Sequence, residues 1–194
     1  MSRKLKFKTR GYYHVYNRGV DKRTIFMNND DYARFIQSVN KFNQDSVSII
    51  SYNLLPNHFH FELKQLKDKG ISKFMHKLGI SYTMYFNIKY NRSGSLFENR
   101  FKATHVDSEH YLIWLSVYIH YNSEKHQICS NRDWIWSSYS QYIDNNTDGG
   151  HLIPINKKVI LKSFDSKRSY KNFVETQSCL YNTIDEKKQH FNNK

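Results

Sequence analysis

Apolar and polar positions along this chain switch between two periods, and the switches predict its elements. The run "YYHVYN", rich in β-formers and closing on Arg18-Gly19, predicts a first strand over Tyr12 to Asn17. Behind the Asn/Asp cluster "NNDD", Tyr32, Phe35, Ile36 and Val39 recur at helical spacing, so a helix follows. The β-branched run "SVSIISYNLL" predicts a second strand, and Pro56-Asn57 turns the chain into a third, His58 to Leu63. Next, Ile71, Phe74, Met75, Leu78, Tyr82 and Tyr85 share one face of a long helix. "GSLFENRFKATHVD" reads as a short strand pair, and Ser108 caps another helix, "SEHYLIWLSVYIHYNSEKH". The polar gap "DNNTDGG" marks the one candidate boundary, with weaker helical segments such as "SKRSYKNFVET" and a polar tail beyond it. We read a main domain over 1–145 and a C-terminal helical extension and tail over 146–194. The order βα, β-β, α, β-β, α predicts an α+β fold with helices packed on an antiparallel sheet.

Composition narrows the class. At 194 residues the chain suits one domain with a real core, and it has no uncharged run long enough for a membrane helix. The basic start "MSRKLKFKTR" lacks the apolar stretch of a secretory leader, so the expected compartment is cytoplasmic. Cys129 and Cys179 show no metal-ligand spacing. Thirty Lys and Arg against 17 Asp and Glu leave a net charge of +13, which favours a polyanionic partner. Fifteen Tyr, 13 Phe and 3 Trp add platforms on which unpaired bases stack, although AT-rich coding sequence also enriches Lys, Asn, Tyr and Phe. No Gly-rich phosphate motif is present, so no nucleotide cofactor is expected.

The chemistry concentrates in "HFHFEL". Alternate side chains of a strand face opposite ways, so Phe59, Phe61 and Leu63 line one face and His58, His60 and Glu62 the other. Two imidazoles so placed can ligate one divalent ion and leave other positions open. For an arbitrary His-x-His pair, the commoner reading is a half-exposed strand with a polar outer face. Glu62 is a reserve ligand, with a solvated or hydrogen-bonded carboxylate as the plainer alternative. On the Ser108-capped helix, Tyr118 and Asn122 are stacked one turn apart, on a face continued by Tyr111 and Leu115. Should that face cover the histidine side of the sheet, a phenol and an amide oxygen reach the same ion. Spacing alone leaves Tyr111, Tyr118 and Tyr121 open, while His120 points elsewhere and reads as structural.

"PNHFHFEL" resembles the His-hydrophobic-His motif of the HUH single-tyrosine transposases, and "YIHYN" resembles the segment carrying their catalytic tyrosine. With "YHVYNRG", "GSLFENRFKA" and "WSSYSQY" in the right order, the chain is similar to the REP-associated tyrosine transposase branch over about Tyr12 to Tyr142. The resemblance implies a ferredoxin-like antiparallel sheet with packed helices, the HUH endonuclease core. It implies Tyr118 as nucleophile, His58, His60 and Asn122 as metal ligands, and Mg²⁺ or Mn²⁺ as the ion; by ligand type alone zinc fits the imidazoles equally well. It further implies cleavage and rejoining of single-stranded DNA near hairpins through a 5′-phosphotyrosine. Related proteins commonly read Asn-Pro where this chain has Asn122-Ser123, which lets the helix run on.

Arg18, Arg100 and Lys102 lie in the resembling motifs and are expected to hold the strand. Lys4, Lys6, Lys8 and Arg10 form a basic arm able to follow a phosphate backbone, or else a solvated terminus. Trp134, Trp136 and Tyr139 either stack bases or pack in the core. Two rival readings remain: a non-catalytic hairpin DNA or RNA binding protein on the same fold, and a structural zinc site. Monomer and homodimer are both open.

Overall fold

The structure, a computed structural model, describes residues 5–144 and 152–178. Lys4, most of the "DNNTDGG" gap, Cys179 and the polar tail lie outside the described residues. The chain forms β1 (Tyr12–Arg18), α1 (Asn29–Asn43), β2 (Val47–Leu55), β3 (His58–Gln65), α2 (Gly70–Lys89) and β4 (Lys102–Val106). The strands make one antiparallel sheet in the order β2-β3-β1-β4. This βαββαβ path, with β3 between β1 and β2, is the ferredoxin-like arrangement. After it come α3 (Glu109–Lys125), α4 (Tyr139–Ile143), α5 (Lys158–Leu161) and α6, a helix over 167–178.

The period-two pattern sorts the sheet into two faces. Tyr13, Val15, Phe59, Phe61 and Leu63 point towards α1 and α2, where Phe35, Ile36, Phe74 and Leu78 complete the larger core. On α2 the stripe holds for Ile71, Phe74, Met75, Leu78 and Tyr82. Tyr85 instead sits at the helix edge, donating its hydroxyl to Asp31 Oδ1 at 2.9 Å, and Phe86 fills the buried place.

The expected strand pair over 94–107 is corrected to one strand, β4. Its first half makes only an isolated bridge, Gly19 to Phe97. Gly94 takes a left-handed φ of 83°, Ser95 Oγ donates to Phe97 O, and Leu96 and Phe97 bury their side chains. A chain that turns inward to fill a core in this way cannot run on as a ladder.

The opposite face is covered by α3, which packs on β2 and β3. Ser108 Oγ accepts from Tyr111 N and starts the helix as expected. Asn53 Nδ2 on β2 donates to Ile119 O at 2.8 Å and pins α3 to the sheet. A bulge between Ile49 and Ser51 interrupts the β2–β3 register, and Ile50 joins the α3-side cluster while Ile49 stays in the larger core. Ile160, Tyr170 and Val174 pack against Leu112, Leu115 and Val117, so α3 is sandwiched between the sheet and the chain's later segment. Among the described residues, no helix is long and apolar enough to cross a membrane.

Gly19 ends β1 where three segments meet. Its N–H donates to Asn57 O at 2.9 Å, and an added Cβ would collide with the Arg23 carbonyl oxygen and crowd Ile25. Gly19→Ala is therefore expected to cost about 1–3 kcal/mol, the usual penalty of overpacking, read as a lowered urea midpoint. An unchanged midpoint would show that the loop yields freely.

Candidate active site

The β1–β3 register sets His14 opposite Glu62, Tyr16 opposite His60 and Arg18 opposite His58. Because these residues alternate with core residues, they share the face under α3. His58 and His60 present rings at right angles with centroids 5.0 Å apart. His14 reaches diagonally across the strands, and a 2.9 Å hydrogen bond joins its Nε2 to His60 Nδ1. His58 Nδ1 donates to Asn57 Oδ1 at 2.6 Å, in the turn that precedes β3. The Pro56-Asn57 turn is itself held down, since Ile25 N donates to Pro56 O and Asn57 Nδ2 donates to Lys22 O.

From above, α3 lowers Tyr118 onto this face. Its ring stands edge-on to His60 at 5.8 Å and to His14 at 6.1 Å, and it shares a pocket of about 490 Å³ with His58 and His60. Of the three tyrosines left open by spacing, Tyr111 is exposed and Tyr121 is buried; neither lines this pocket. One turn on, Asn122 is fully buried, with Nδ2 donating to Tyr118 O at 2.6 Å. Ser123 Oγ donates to Asn131 Oδ1 and, lacking proline's ring, lets α3 continue to Lys125. That extra turn delivers His126, whose ring lies 5.1 Å from that of His58. His120 is buried away from the pocket, with Nδ1 bonded to Tyr170 OH and Nε2 to Ser138 Oγ, both at 2.8 Å.

Burial controls the charge states. It pushes His14 down to about 4. It likewise takes His58 to about 4, helped by His126 and Arg18. His60 falls well below its ordinary value through burial, then through His14, His58 and His126. The imidazoles are thus neutral near pH 7, the form that ligates metals. Glu62 is buried rather than solvated. Burial raises its carboxyl to about 8 although Ser51 Oγ donates to Oε2 at 2.7 Å.

His58, whose Nδ1 donates to Asn57 Oδ1, leaves its Nε2 open as a ligand, and His60 does the same in the tautomer that carries its proton on Nδ1. Asn122 Oδ1 is buried without a hydrogen-bond partner, an orphaned acceptor of the kind a cation satisfies. The donor types therefore suit a divalent ion, although Asn122 is buried and is not among the residues lining the pocket of His58, His60 and Tyr118. Among the described residues no trio of His, Cys, Asp or Glu assembles for this purpose.

The expected strand-holding residues divide. Arg18 and Lys102 line the pocket, and Arg18 is paired with Glu98 at 3.0 Å. Arg100 lies instead on a neighbouring groove beside Phe97, Phe101 and Met84. Lys6, Lys8 and Arg10 are exposed before the far end of β1, and its seven residues put about 20 Å between that end and Arg18. The structure does not bring them to the pocket, and Lys4 lies outside the described residues. Trp136 stacks on Tyr32 at 4.5 Å, Trp134 Nε1 donates to Asn53 Oδ1, and Tyr139 is buried, so these aromatics pack. Sequence reasoning passed over His14, Asn57 and His126. The period-two face of "YYHVYNR" and the i, i+4, i+8 series Tyr118, Asn122, His126 were the signals that could have found them.

A ferredoxin-like sheet with a paired-imidazole strand under a tyrosine-bearing helix defines a protein of the tyrosine-transposase fold. Its likeness in fold is to a solved REP-associated tyrosine transposase bound to a REP hairpin, with a TM-score of 0.62 and 15% identity, covering 79% of this chain and 91% of that one. A second structure, described provisionally as a transposase of Deinococcus radiodurans, covers 61% of this chain and 95% of its own with 14% identity and a TM-score of 0.41. No curated protein matches the chain by sequence. The family model "Transposase IS200 like" matches residues 7–122. The chain belongs to the IS200-like transposase family, and is an enzyme of the transposase type.

The depressed histidines carry a pH signature. An unfolded histidine binds a proton near 6.5, whereas folded His14 and His58 wait until about 4, His120 until about 3, and His60 also lies far below. Between 6.5 and 4 the unfolded chain holds more protons, so stability rises with pH across that window. Glu62 opposes this, because its folded value of about 8 exceeds its ordinary 4.5. Four histidines outweigh one carboxyl below 6.5. Urea midpoints are expected to fall as pH drops from about 6.5 towards 4.5; a flat profile would contradict the assigned burial.

Proposed function

We propose that this transposase is metal-dependent and cleaves and rejoins single-stranded DNA beside a hairpin, with Tyr118 as its nucleophile. The observation that carries the reading is the meeting of Tyr118 with His58 and His60 in one pocket. The REP hairpin bound by the structural neighbour supports a hairpin partner here. His58, His60 and Asn122 would hold the cation. When bound, Mg²⁺ or Mn²⁺ polarises the scissile phosphate and offsets charge in the transition state.

In cleavage, Tyr118 Oη attacks the phosphorus and its proton passes to solvent. The bond from phosphorus to the 3′-oxygen breaks, and that oxygen takes a proton from water. The products are a 5′-phosphotyrosine and a free 3′-hydroxyl. In rejoining, a 3′-hydroxyl attacks the phosphotyrosine, its proton passes to solvent, and the phenol leaves and regains a proton. One ester replaces another each time, so no nucleotide co-substrate enters the balance. Lys22, Lys102 and Arg18 line the pocket and counter the backbone's charge; Arg18 must first release Glu98. We assign catalysis to 1–145, with the later segment bracing α3 through Tyr170.

The test is a denaturing gel of the protein mixed with labelled, hairpin-bearing single-stranded DNA and Mn²⁺. A slow-migrating covalent adduct is expected, abolished in Tyr118→Phe. In His58→Ala it should fall at least about a hundredfold, as the loss of a few kcal/mol of charge stabilisation implies. Binding without an adduct across metals and substrates would instead favour the non-catalytic DNA or RNA binding protein.

A further inference from the structure

We propose that His14 is a positioning residue: its hydrogen bond fixes the tautomer and ring angle of His60, so that His60 offers Nε2 to a divalent cation. The inference rests on the metal-dependent reading above. Two neutral imidazoles joined nitrogen to nitrogen share one proton across the bond, here between His14 Nε2 and His60 Nδ1 at 2.9 Å. If His60 Nδ1 donates, His60 Nε2 keeps its lone pair. If His60 Nδ1 accepts, Nε2 carries the proton and cannot ligate. A cation on His60 therefore requires His14 Nε2 as acceptor, with the proton of His14 on its own Nδ1.

His58 meets the same requirement differently. Asn57 Oδ1 can only accept, so His58 Nδ1 donates and Nε2 is left open. The two metal arms are thus prepared by different neighbours, a turn amide and a cross-strand histidine. His14 reaches further than Asn57, since its ring stacks on Tyr16 at 4.9 Å and meets the edge of Tyr118 at 6.1 Å. One side chain touches both a metal arm and the nucleophile's ring. The β1–β3 register fixes its place, two pairs along from Tyr16 and His60 and so on the same face.

Mn²⁺ binding to the full chain without DNA, measured by isothermal titration calorimetry, tests this. His14→Phe keeps an aromatic ring and removes the acceptor; it is expected to weaken Mn²⁺ binding about 10- to 100-fold, the usual loss when a ligand's outer partner is removed. His14→Gln restores an acceptor and should recover much of that loss. Wild-type affinity in His14→Phe overturns the proposal. The tautomer is also read directly on the wild-type chain by long-range ¹H–¹⁵N correlation, which needs no variant to fold. A proton on His60 Nδ1 supports the proposal, and one on Nε2 overturns it. If the wild type takes up no Mn²⁺, the metal-dependent reading falls and this one with it. If the wild type binds, His58→Ala does not and His14→Phe binds normally, only the positioning role falls.

Discussion

Covering one face of β3 with α3 withdraws His60 and Glu62 from water, and the rest of the structure answers that constraint. Buried polar groups cost free energy unless each finds a partner. His60 finds His14, Glu62 finds Ser51, and His58 at the open end finds Asn57. The acceptor of Asn122 finds none. Glu62 Oε1 and Gln65 Nε2, both on β3, are likewise buried without a partner, so satisfaction along the strand is incomplete. The same burial keeps the imidazoles neutral, so the arrangement that hides them also keeps their lone pairs free.

The covering helix is held from both sides. Asn53 grips the backbone of α3 at Ile119 from the sheet. From outside, Tyr170 bonds Ser116 and His120, and His120 passes the connection to Ser138. Tyr118 lies between these fixings, so its position depends on contacts separated by more than 100 residues of chain. A loose α3 would swing the phenol across the pocket. The later segment thus matters to the site although none of its described residues lines the pocket.

Much of this was legible in the sequence, for physical reasons that differ by element. The period-two run of β3 told which side chains share a face, because a strand offers only two choices. The i, i+4 pair Tyr118 and Asn122 told which residues share a helical face. The strand pair near Phe97 was misread because β-propensity cannot report that a segment turns inward to bury Leu96 and Phe97. His14 was hidden for another reason: its role arises from a diagonal contact between strands about 46 residues apart, and no local pattern encodes register. The basic arm shows the limit of charge counting, since Lys6, Lys8 and Arg10 add to the net charge yet sit beyond the other end of β1 from Arg18.

The central claim is that one phenol and a paired-imidazole centre act on the same phosphodiester. Mass spectrometry of tryptic peptides after reaction with hairpin-bearing single-stranded DNA tests it most directly, by locating the tyrosine that carries the nucleotide. The account predicts the mass increment on Tyr118 alone, lost when His58 and His60 are both replaced by alanine. An increment on Tyr111 or Tyr121, or one on Tyr118 that persists without the two histidines, would contradict it.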